Sequence, residues 1–151
     1  METFHRDLKG GKVNEAKHLA IIQKTYPDAH IIDGYCKEWD IYIPSAKFGI
    51  EVKSDKMSQK TGNIVVEVKF NGKASALSTT KSRYWIFDTG VKSIMVKVTQ
   101  LRKLIEESQD RKRTFTAFGD THPKDAYLIK QQYLYLSKEY LVVIFFYHLK
   151  C

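Results

Sequence analysis

The stretch DIYIPSAKFGIEVKSD, residues 40–55, holds two runs that alternate apolar and polar side chains on either side of a four-residue connection. Such alternation is typical of strands with one buried face, and a connection this short favours a hairpin. Pairing Ile43 with Phe48 across the connection would place Asp40 directly opposite Glu51. Directly opposed like charges destabilise a sheet, so this register predicts a divalent cation between the two carboxylates.

The polar face of this hairpin predicts a metal site with a catalytic lysine. Glu51 and Lys53 share that face, and two carboxylates with the backbone carbonyl of Val52 suit Mg²⁺, which keeps several waters. The ion would polarise a phosphodiester and lower the pKa of a bound water, while Lys53 either positions the nucleophile or stabilises the developing charge. A solvated strand face with an ordinary Glu–Lys pair is the alternative interpretation. The other face is predicted to carry the apolar side chains, Trp39, Ile41, Ile43, Ile50 and Val52.

The spacing from Asp40 through ten residues to Glu51-Val52-Lys53 resembles the PD-(D/E)xK nuclease superfamily, with Trp39 where that family has proline. The resemblance implies an α/β fold with an αβββαβ core, in which a mixed central sheet is flanked by helices. It also implies a Mg²⁺-dependent DNA endonuclease, with Mn²⁺ as a possible substitute. By residue, it assigns metal binding to Asp40 and Glu51, and activation of the attacking water to Lys53.

A second part of the chain is similar to small phage-encoded members of that superfamily. Gly62-Asn63 and Glu67 match a strand that precedes a Ser/Thr-rich turn and an aromatic strand, with Ser75-Ala76 where those members have Ser-Gly. The similarity spans roughly residues 12–90. Glu67 also begins its own Glu-x-Lys triplet, so it is either an auxiliary metal ligand or the rival of Glu51. If the strand at 63–70 pairs antiparallel with 48–55, both acids share a face.

Glu15 is a further candidate for the metal site. On the predicted helix it faces the apolar stripe of Leu19 and Ile22 instead of solvent. Several members of the superfamily carry a glutamate on this helix that completes the site. The alternative is a glutamate at the edge of the stripe that pairs with Lys12 or Lys17.

The chain is basic, with a net charge of +8, which predicts a polyanionic partner: nucleic acid first, an anionic membrane surface second. DNA, double-stranded or branched, is the expected substrate. Residues 111–113 are either another phosphate patch or a solvated turn. A non-catalytic nucleic-acid-binding protein of the same fold, or a nuclease acting on RNA, are the alternative functions. The candidate DNA contacts are Lys56, Lys60, Lys73, Ser75, Lys81 and Arg83.

One domain over residues 1–151 is predicted, because no linker or repeat divides the chain. The C-terminal run at 140–149 is apolar for only about seven residues, well short of the ~20 that span a bilayer. It predicts a core strand or a contact in a homodimer or larger even oligomer. With no signal peptide, a cytoplasmic protein is expected, in the host-cell cytoplasm if phage-encoded. The predicted elements are helices at 12–25 and at 100–110, the latter capped by Thr99, and strands at 30–35, 38–44, 48–55, 63–70, 83–89, 93–99 and 126–130.

Overall fold

The computed structural model describes residues 2–35 and 38–136. The fold is α/β, and two sheets form where the sequence predicts one. In chain order the elements are α1 (Glu2–Ile22), β1 (His30–Ile31), β2 (Ile41–Ile43), β3 (Phe48–Ser54), α2 (Ser58–Thr61), β4 (Asn63–Phe70), β5 (Lys73–Ala74), β6 (Tyr84–Asp88), β7 (Ser93–Lys97), α3 (Val98–Glu106), β8 (Lys112–Phe115), β9 (Lys124–Lys130) and α4 (Gln131–Leu136).

The first sheet is mixed and has the strand order β1-β2-β3-β6-β7. The strands β3 and β6 are parallel, and the other neighbours are antiparallel. Ile43 pairs with Phe48 across the 44–47 turn, which confirms the predicted hairpin and its register. The crossover from β3 to the parallel β6 contains α2, β4 and β5.

The second sheet is antiparallel and has the order β5-β4-β9-β8. Its strand β4 has the predicted bounds, and Asn71-Gly72 forms the predicted turn with both residues at positive φ. The pairing of 63–70 with 48–55, on which a shared face for Glu51 and Glu67 depended, does not form, because β4 pairs with β5 and β9. A link between the sheets remains at Asp55, whose Oδ2 accepts a hydrogen bond from the Val65 N–H at 2.8 Å.

The first sheet is covered on both faces. On one face α1 packs over Ile41, Ile50 and Ile86. On the other face Trp85 and Phe87 pack with the second sheet and α3. Since β3 pairs with β6 so that Glu51 aligns with Trp85, Glu51 and Lys53 lie on the side of the second sheet. The larger core contains Ile64, Val66, Leu77, Trp85, Phe87, Ile94, Val96, Val98, Leu101, Leu104, Ile105, Tyr127, Ile129 and Leu134.

Polar contacts fix α1 against the first sheet. The Nδ1–H of the fully buried His18 donates to the Asn14 carbonyl at 2.7 Å, and its Nε2 is hydrogen-bonded to Ser93 Oγ, also at 2.7 Å. Lys17 Nζ lies 2.7 Å from Asp88 Oδ2. Burial alone would raise the pKa of Asp88, but hydrogen bonds from Lys17 and the Gly90 N–H outweigh it and lower the pKa.

Several element predictions need correction. Helix α1 begins ten residues before position 12, at Glu2, and Val13, an apolar residue at helical spacing near the start of the predicted helix, is 62% exposed. Helix α3 begins at Val98, so Thr99 lies inside it and the cap residue Lys97 makes no side-chain cap. Residues 112–113 begin β8 instead of forming a turn. The predicted run at 140–149 lies outside the described residues. In the described part of the chain, no helix is long and apolar enough to cross a membrane.

Candidate active site

A cavity of about 750 Å³ lies where the two sheets meet, and we call it the β3 cavity. The alternating residues of β3 and the segment after it form one wall, and β4 and β6 contribute to others. Its size is in the range of small-molecule binding sites, and both charge signs line it. The charged and aromatic lining used below is Glu51, Lys53, Asp55, Glu67, Trp85 and Lys124.

Glu51 and Lys53 contact each other inside this cavity. Lys53 Nζ donates to Glu51 Oε1 at 2.7 Å and lies 5.1 Å from the centre of the Trp85 ring. Their side chains are 23% and 36% exposed, so both are reachable from the cavity while still partly screened from bulk water. The ion pair and the ring together hold the ammonium in a defined position.

The Asp40 side chain lies beside Val52, the β3 residue between Glu51 and Lys53. Its Oδ2 accepts a hydrogen bond from the Val52 N–H at 2.7 Å, and the residue is only 7% exposed. The regular ladder ends at Ile41 and Ile50, and the Asp40 N–H donates to the Ile50 carbonyl, one residue out of register. The prediction that Asp40 lies directly opposite Glu51 is therefore wrong. The carboxylate reaches the same stretch of β3 through its side chain.

The same irregularity moves Trp39 to the other face. Its ring stacks on Tyr42, with centroids 4.9 Å apart and planes at 19°, and covers Gly49, the ladder partner of Tyr42. The predicted grouping of Trp39 with Ile41 is wrong, because strict alternation does not hold across Asp40. Gly49 leaves the space that the indole occupies, since any Cβ there would overlap it.

Glu67 reaches the β3 cavity from β4. One carboxylate oxygen accepts from Ser75 Oγ at 2.7 Å, and the other lies 3.4 Å from Lys124 Nζ. Lys124 also contacts Asp120 at 2.9 Å. Burial alone would lower the pKa of Lys124, but Asp120 and Glu67 outweigh it and raise the pKa. Both Glu67 oxygens thus have partners within the protein, whereas Glu51 is paired through Oε1 with Lys53.

The other predicted site residues are dispersed around this centre. Glu15 is half-buried on α1 and does not line the β3 cavity. Lys81 lines the cavity and pairs with Glu38 at 2.6 Å. Arg83 lies on a neighbouring groove. Ser75 donates its hydroxyl to the Glu67 carboxylate, as described above. The remaining predicted DNA contacts, Lys56, Lys60 and Lys73, are exposed and lie off the cavity wall.

The carboxylate oxygens near β3 are the type of ligand that Mg²⁺ prefers, but only a few of them are available. Among the described residues, no three acidic, histidine or cysteine side chains are grouped closely enough to hold a metal ion. Mg²⁺ commonly binds through one or two carboxylates and keeps waters or substrate phosphate oxygens for the rest. Asp40, which accepts from the Val52 N–H and is not part of the cavity lining, and Glu51, the residue before Val52, could supply such a pair, and Glu67 lies across the cavity.

Of the six charged and aromatic lining residues named above, the sequence prediction missed Asp55, Trp85 and Lys124. Asp55 continues the alternation of Glu51 and Lys53, so its place was readable from spacing. Burial raises the pKa of Asp55, and the Val65 and Ser58 N–H groups only partly oppose this. Trp85 and Lys124 reach the cavity through strand pairing with distant segments, and no local pattern identifies them.

Comparisons with known proteins give no relative: no protein-family description, curated protein or solved structure matches this chain. The function is therefore argued from the residues and geometry of the β3 cavity.

Proposed function

We propose that this chain is a Mg²⁺-dependent DNA endonuclease of the PD-(D/E)xK type. The observation that carries the proposal is the placement of Glu51 and Lys53 in one cavity, with the Asp40 carboxylate held against the intervening Val52. Two acids and a lysine on adjacent strands supply both a cation site and a fixed positive charge. Phosphodiester hydrolysis needs both, because negative charge develops on the phosphate.

The order of the elements supports this assignment. Helix α1, the antiparallel strands β1 to β3 and the parallel strand β6 follow the order of an αβββαβ core. The helix expected in the crossover corresponds to α2, which is only four residues long. Glu51 and Lys53 lie on β3, and Asp40 immediately precedes β2.

The chain's own residues have distinct tasks in this proposal. Bound at Asp40 and Glu51, Mg²⁺ would polarise the phosphodiester and lower the pKa of a bound water. Lys53 stays near the Trp85 ring and exchanges its contact with Glu51 for the phosphate or the attacking water. Asp40 keeps a fixed orientation because the Val52 N–H holds one of its oxygens. Glu67, held by Ser75 and Lys124, is an auxiliary acid across the cavity.

The proposal extends to substrate and assembly. The substrate is DNA, double-stranded or branched, and the net charge of +8 supports a polyanion. One active site cuts one strand, so we propose a homodimer or a larger even oligomer for cutting both strands. The apolar run at 140–149, the proposed contact, lies outside the described residues.

One observation favours a second candidate function. Because the described residues contain no cluster of three metal-binding side chains, the Glu51–Lys53 contact would also suit a protein that binds nucleic acid without cutting it. The two functions predict the same fold and the same basic surface. They differ in whether Lys53 has a chemical role.

The test is cleavage of supercoiled plasmid in Mg²⁺. The wild-type protein is expected to nick it, and Lys53→Ala to slow nicking by about 100-fold or more, a typical loss for a positioned catalytic group. Lys130→Ala removes the same charge from an exposed strand end and should cut normally. Incubation with RNA of the same sequence tests the alternative that the protein is a nuclease acting on RNA. Inert wild-type protein on linear, nicked, flap, single-stranded and four-way-junction DNA, with binding retained, would establish the non-catalytic function.

A further inference from the structure

A second cavity of about 780 Å³ adjoins the β3 cavity, and we call it the Arg83 groove. Its charged lining is entirely basic, whereas Glu38, Glu51, Asp55 and Glu67 line the β3 cavity. Thr80 and Lys81 lie on the walls of both cavities, so the two are neighbours. The groove residues used here are Lys81, Ser82, Arg83, Lys97, Thr99 and Arg102.

Among the described residues, one cation of the groove has a carboxylate partner: Lys81 pairs with Glu38 at 2.6 Å. The Lys97 side chain forms no ion pair with any described residue, and neither does the Arg83 guanidinium, which lies 5.2 Å from the Phe48 ring centre. Arg102 Nη2 donates to the carbonyls of Leu77 and Thr80, at 3.1 and 3.3 Å, which fixes the loop that carries Ser82. Three cations without a carboxylate partner are unfavourable in an empty groove and favourable around an anion.

One buried side-chain group of the groove lacks a partner in the described structure. Ser82 is 4% exposed, and its Oγ makes no hydrogen bond there. A buried hydroxyl without a partner is costly, so a ligand oxygen or a water at this point would stabilise it. Beside it, α3 begins at Val98, whose N–H donates to the Arg83 carbonyl at 2.9 Å; this helix start has no side-chain cap, and the helix dipole adds partial positive charge.

We infer that the Arg83 groove binds a backbone phosphate of the same polynucleotide strand whose scissile phosphate enters the β3 cavity. The inference rests on the proposed nuclease function and defines its substrate as a polynucleotide instead of a mononucleotide or a small phosphodiester. Thr80 and Lys81 line both cavities, so one strand can pass directly from the β3 cavity into the groove. Ser82 and the start of α3 bind the phosphate oxygens, and Arg83 and Lys97 neutralise the charge.

The test is binding of a labelled duplex oligonucleotide by fluorescence anisotropy in Ca²⁺, which avoids cleavage. Arg83→Gln with Lys97→Gln should raise Kd about 10-fold or more and reduce the slope of log Kd against log salt by about 1 to 2. The matched control, Lys24→Gln with Lys130→Gln, removes two exposed charges elsewhere and should leave the slope nearly unchanged. Lys97→Gln alone disturbs no ion pair in the described structure, so its binding remains interpretable if the double variant folds poorly.

Ser82→Ala separates a binding role from a structural one. Without a ligand the alanine protein should melt at the same temperature or higher, because an unpaired buried hydroxyl is removed. Its Kd for the oligonucleotide should rise about threefold to 10-fold, the value of one hydrogen bond. Unchanged Kd in both Ser82→Ala and the double variant would overturn the inference. So would loss of inorganic phosphate binding with unchanged DNA binding, since that would identify a pocket for small anions.

Failure of this inference can be told apart from failure of the nuclease proposal. If the wild-type protein cuts plasmid in Mg²⁺ while the groove variants bind and cut normally, the nuclease proposal stands and the groove inference is overturned. If the groove variants bind DNA weakly but no protein cuts any substrate, the groove is still a site for a backbone phosphate, and the nuclease proposal, with its scissile phosphate in the β3 cavity, is overturned.

Discussion

Replacing Gly49 with alanine should destabilise the protein by displacing Trp39. A Cβ at Gly49 would lie 2.5 Å from Trp39 Cδ2 and 2.6 Å from Trp39 Cβ. Rotating the indole cannot relieve the second contact, because a Cβ moves only with its backbone. Restoring an ordinary 3.4 Å contact needs a shift of roughly 0.8 Å (3.4 minus 2.6) in the backbone next to Asp40. The 2.7 Å hydrogen bond from the Val52 N–H to Asp40 should lengthen with it.

The size of the effect follows from three contributions. Overpacking costs about 2 kcal/mol, the middle of the usual range. Loss of the hydrogen bond between Asp40 and Val52 costs about 1 kcal/mol. Replacing glycine in a strand recovers about 0.5–1 kcal/mol of backbone entropy. The free energy of unfolding should therefore fall by about 2 kcal/mol, which for a chain of 151 residues lowers Tm by about 4–8 °C.

Thermal and urea unfolding measure this effect. Gly11→Ala is the matched control, because a Cβ there meets nothing within 4 Å, and it should be neutral or stabilising. In a Trp39→Gly background the Gly49→Ala change should cost little, which would appear as coupling of about 2 kcal/mol in the double-mutant cycle. An unchanged Tm in Gly49→Ala, or additive effects in the cycle, would refute the placement of Trp39 and the register break at Asp40.

Three further predictions concern charge and assembly. Burial raises the folded pKa of Asp55, so the contribution of this carboxyl to stability is present below pH 3.8 and is lost as pH rises through the folded pKa. The Asp55→Asn variant should therefore become more resistant to urea than the wild type as pH rises from 4 to 8. A difference between the two proteins that stays constant with pH would contradict this. The pKa of Asp88 is lowered, so the contribution of this carboxylate to stability is lost on acidification. The Lys17→Met variant removes the partner of Asp88 and should move the midpoint of acid unfolding to higher pH. An unchanged midpoint would count against the Lys17–Asp88 ion pair. In light scattering the full chain should be a dimer or larger, and a chain that ends at Lys138 should be a folded monomer. A monomeric full chain would rule out the homodimer, and an unfolded truncated chain would show that residues 140–149 are part of the core.

The sequence predicts best what neighbouring residues decide. A four-residue connection leaves little freedom, so the register of Ile43 and Phe48 followed from the sequence alone. The bounds of β4 followed from its β-branched run and the Asn71-Gly72 turn signal. Alternation also indicated that Glu51 and Lys53 share a face, and the structure places both in one cavity.

What depends on distant residues was not predictable from local patterns. The partner of β4 is β9, which begins more than fifty residues after β4 ends, and this pairing creates a second sheet. Strict alternation fails at Asp40, because its N–H bonds to Ile50 and its side chain takes a bond from Val52. That local departure moved Trp39 to the face of Tyr42 and removed the predicted direct opposition of two carboxylates.

The central claim is that Asp40, Glu51 and Lys53 form the catalytic site, with Glu67 only auxiliary. The most direct measurement is the single-turnover rate of DNA cleavage in Mg²⁺ by Asp40→Asn, Glu51→Gln and Glu67→Gln, beside DNA affinity in Ca²⁺. We predict that the first two abolish cleavage while retaining DNA binding, because a lost carboxylate weakens the cation site but also lowers repulsion with phosphate. We predict that Glu67→Gln keeps measurable cleavage. Full activity in Glu51→Gln with loss in Glu67→Gln would contradict the account and assign the chemistry to the second triplet.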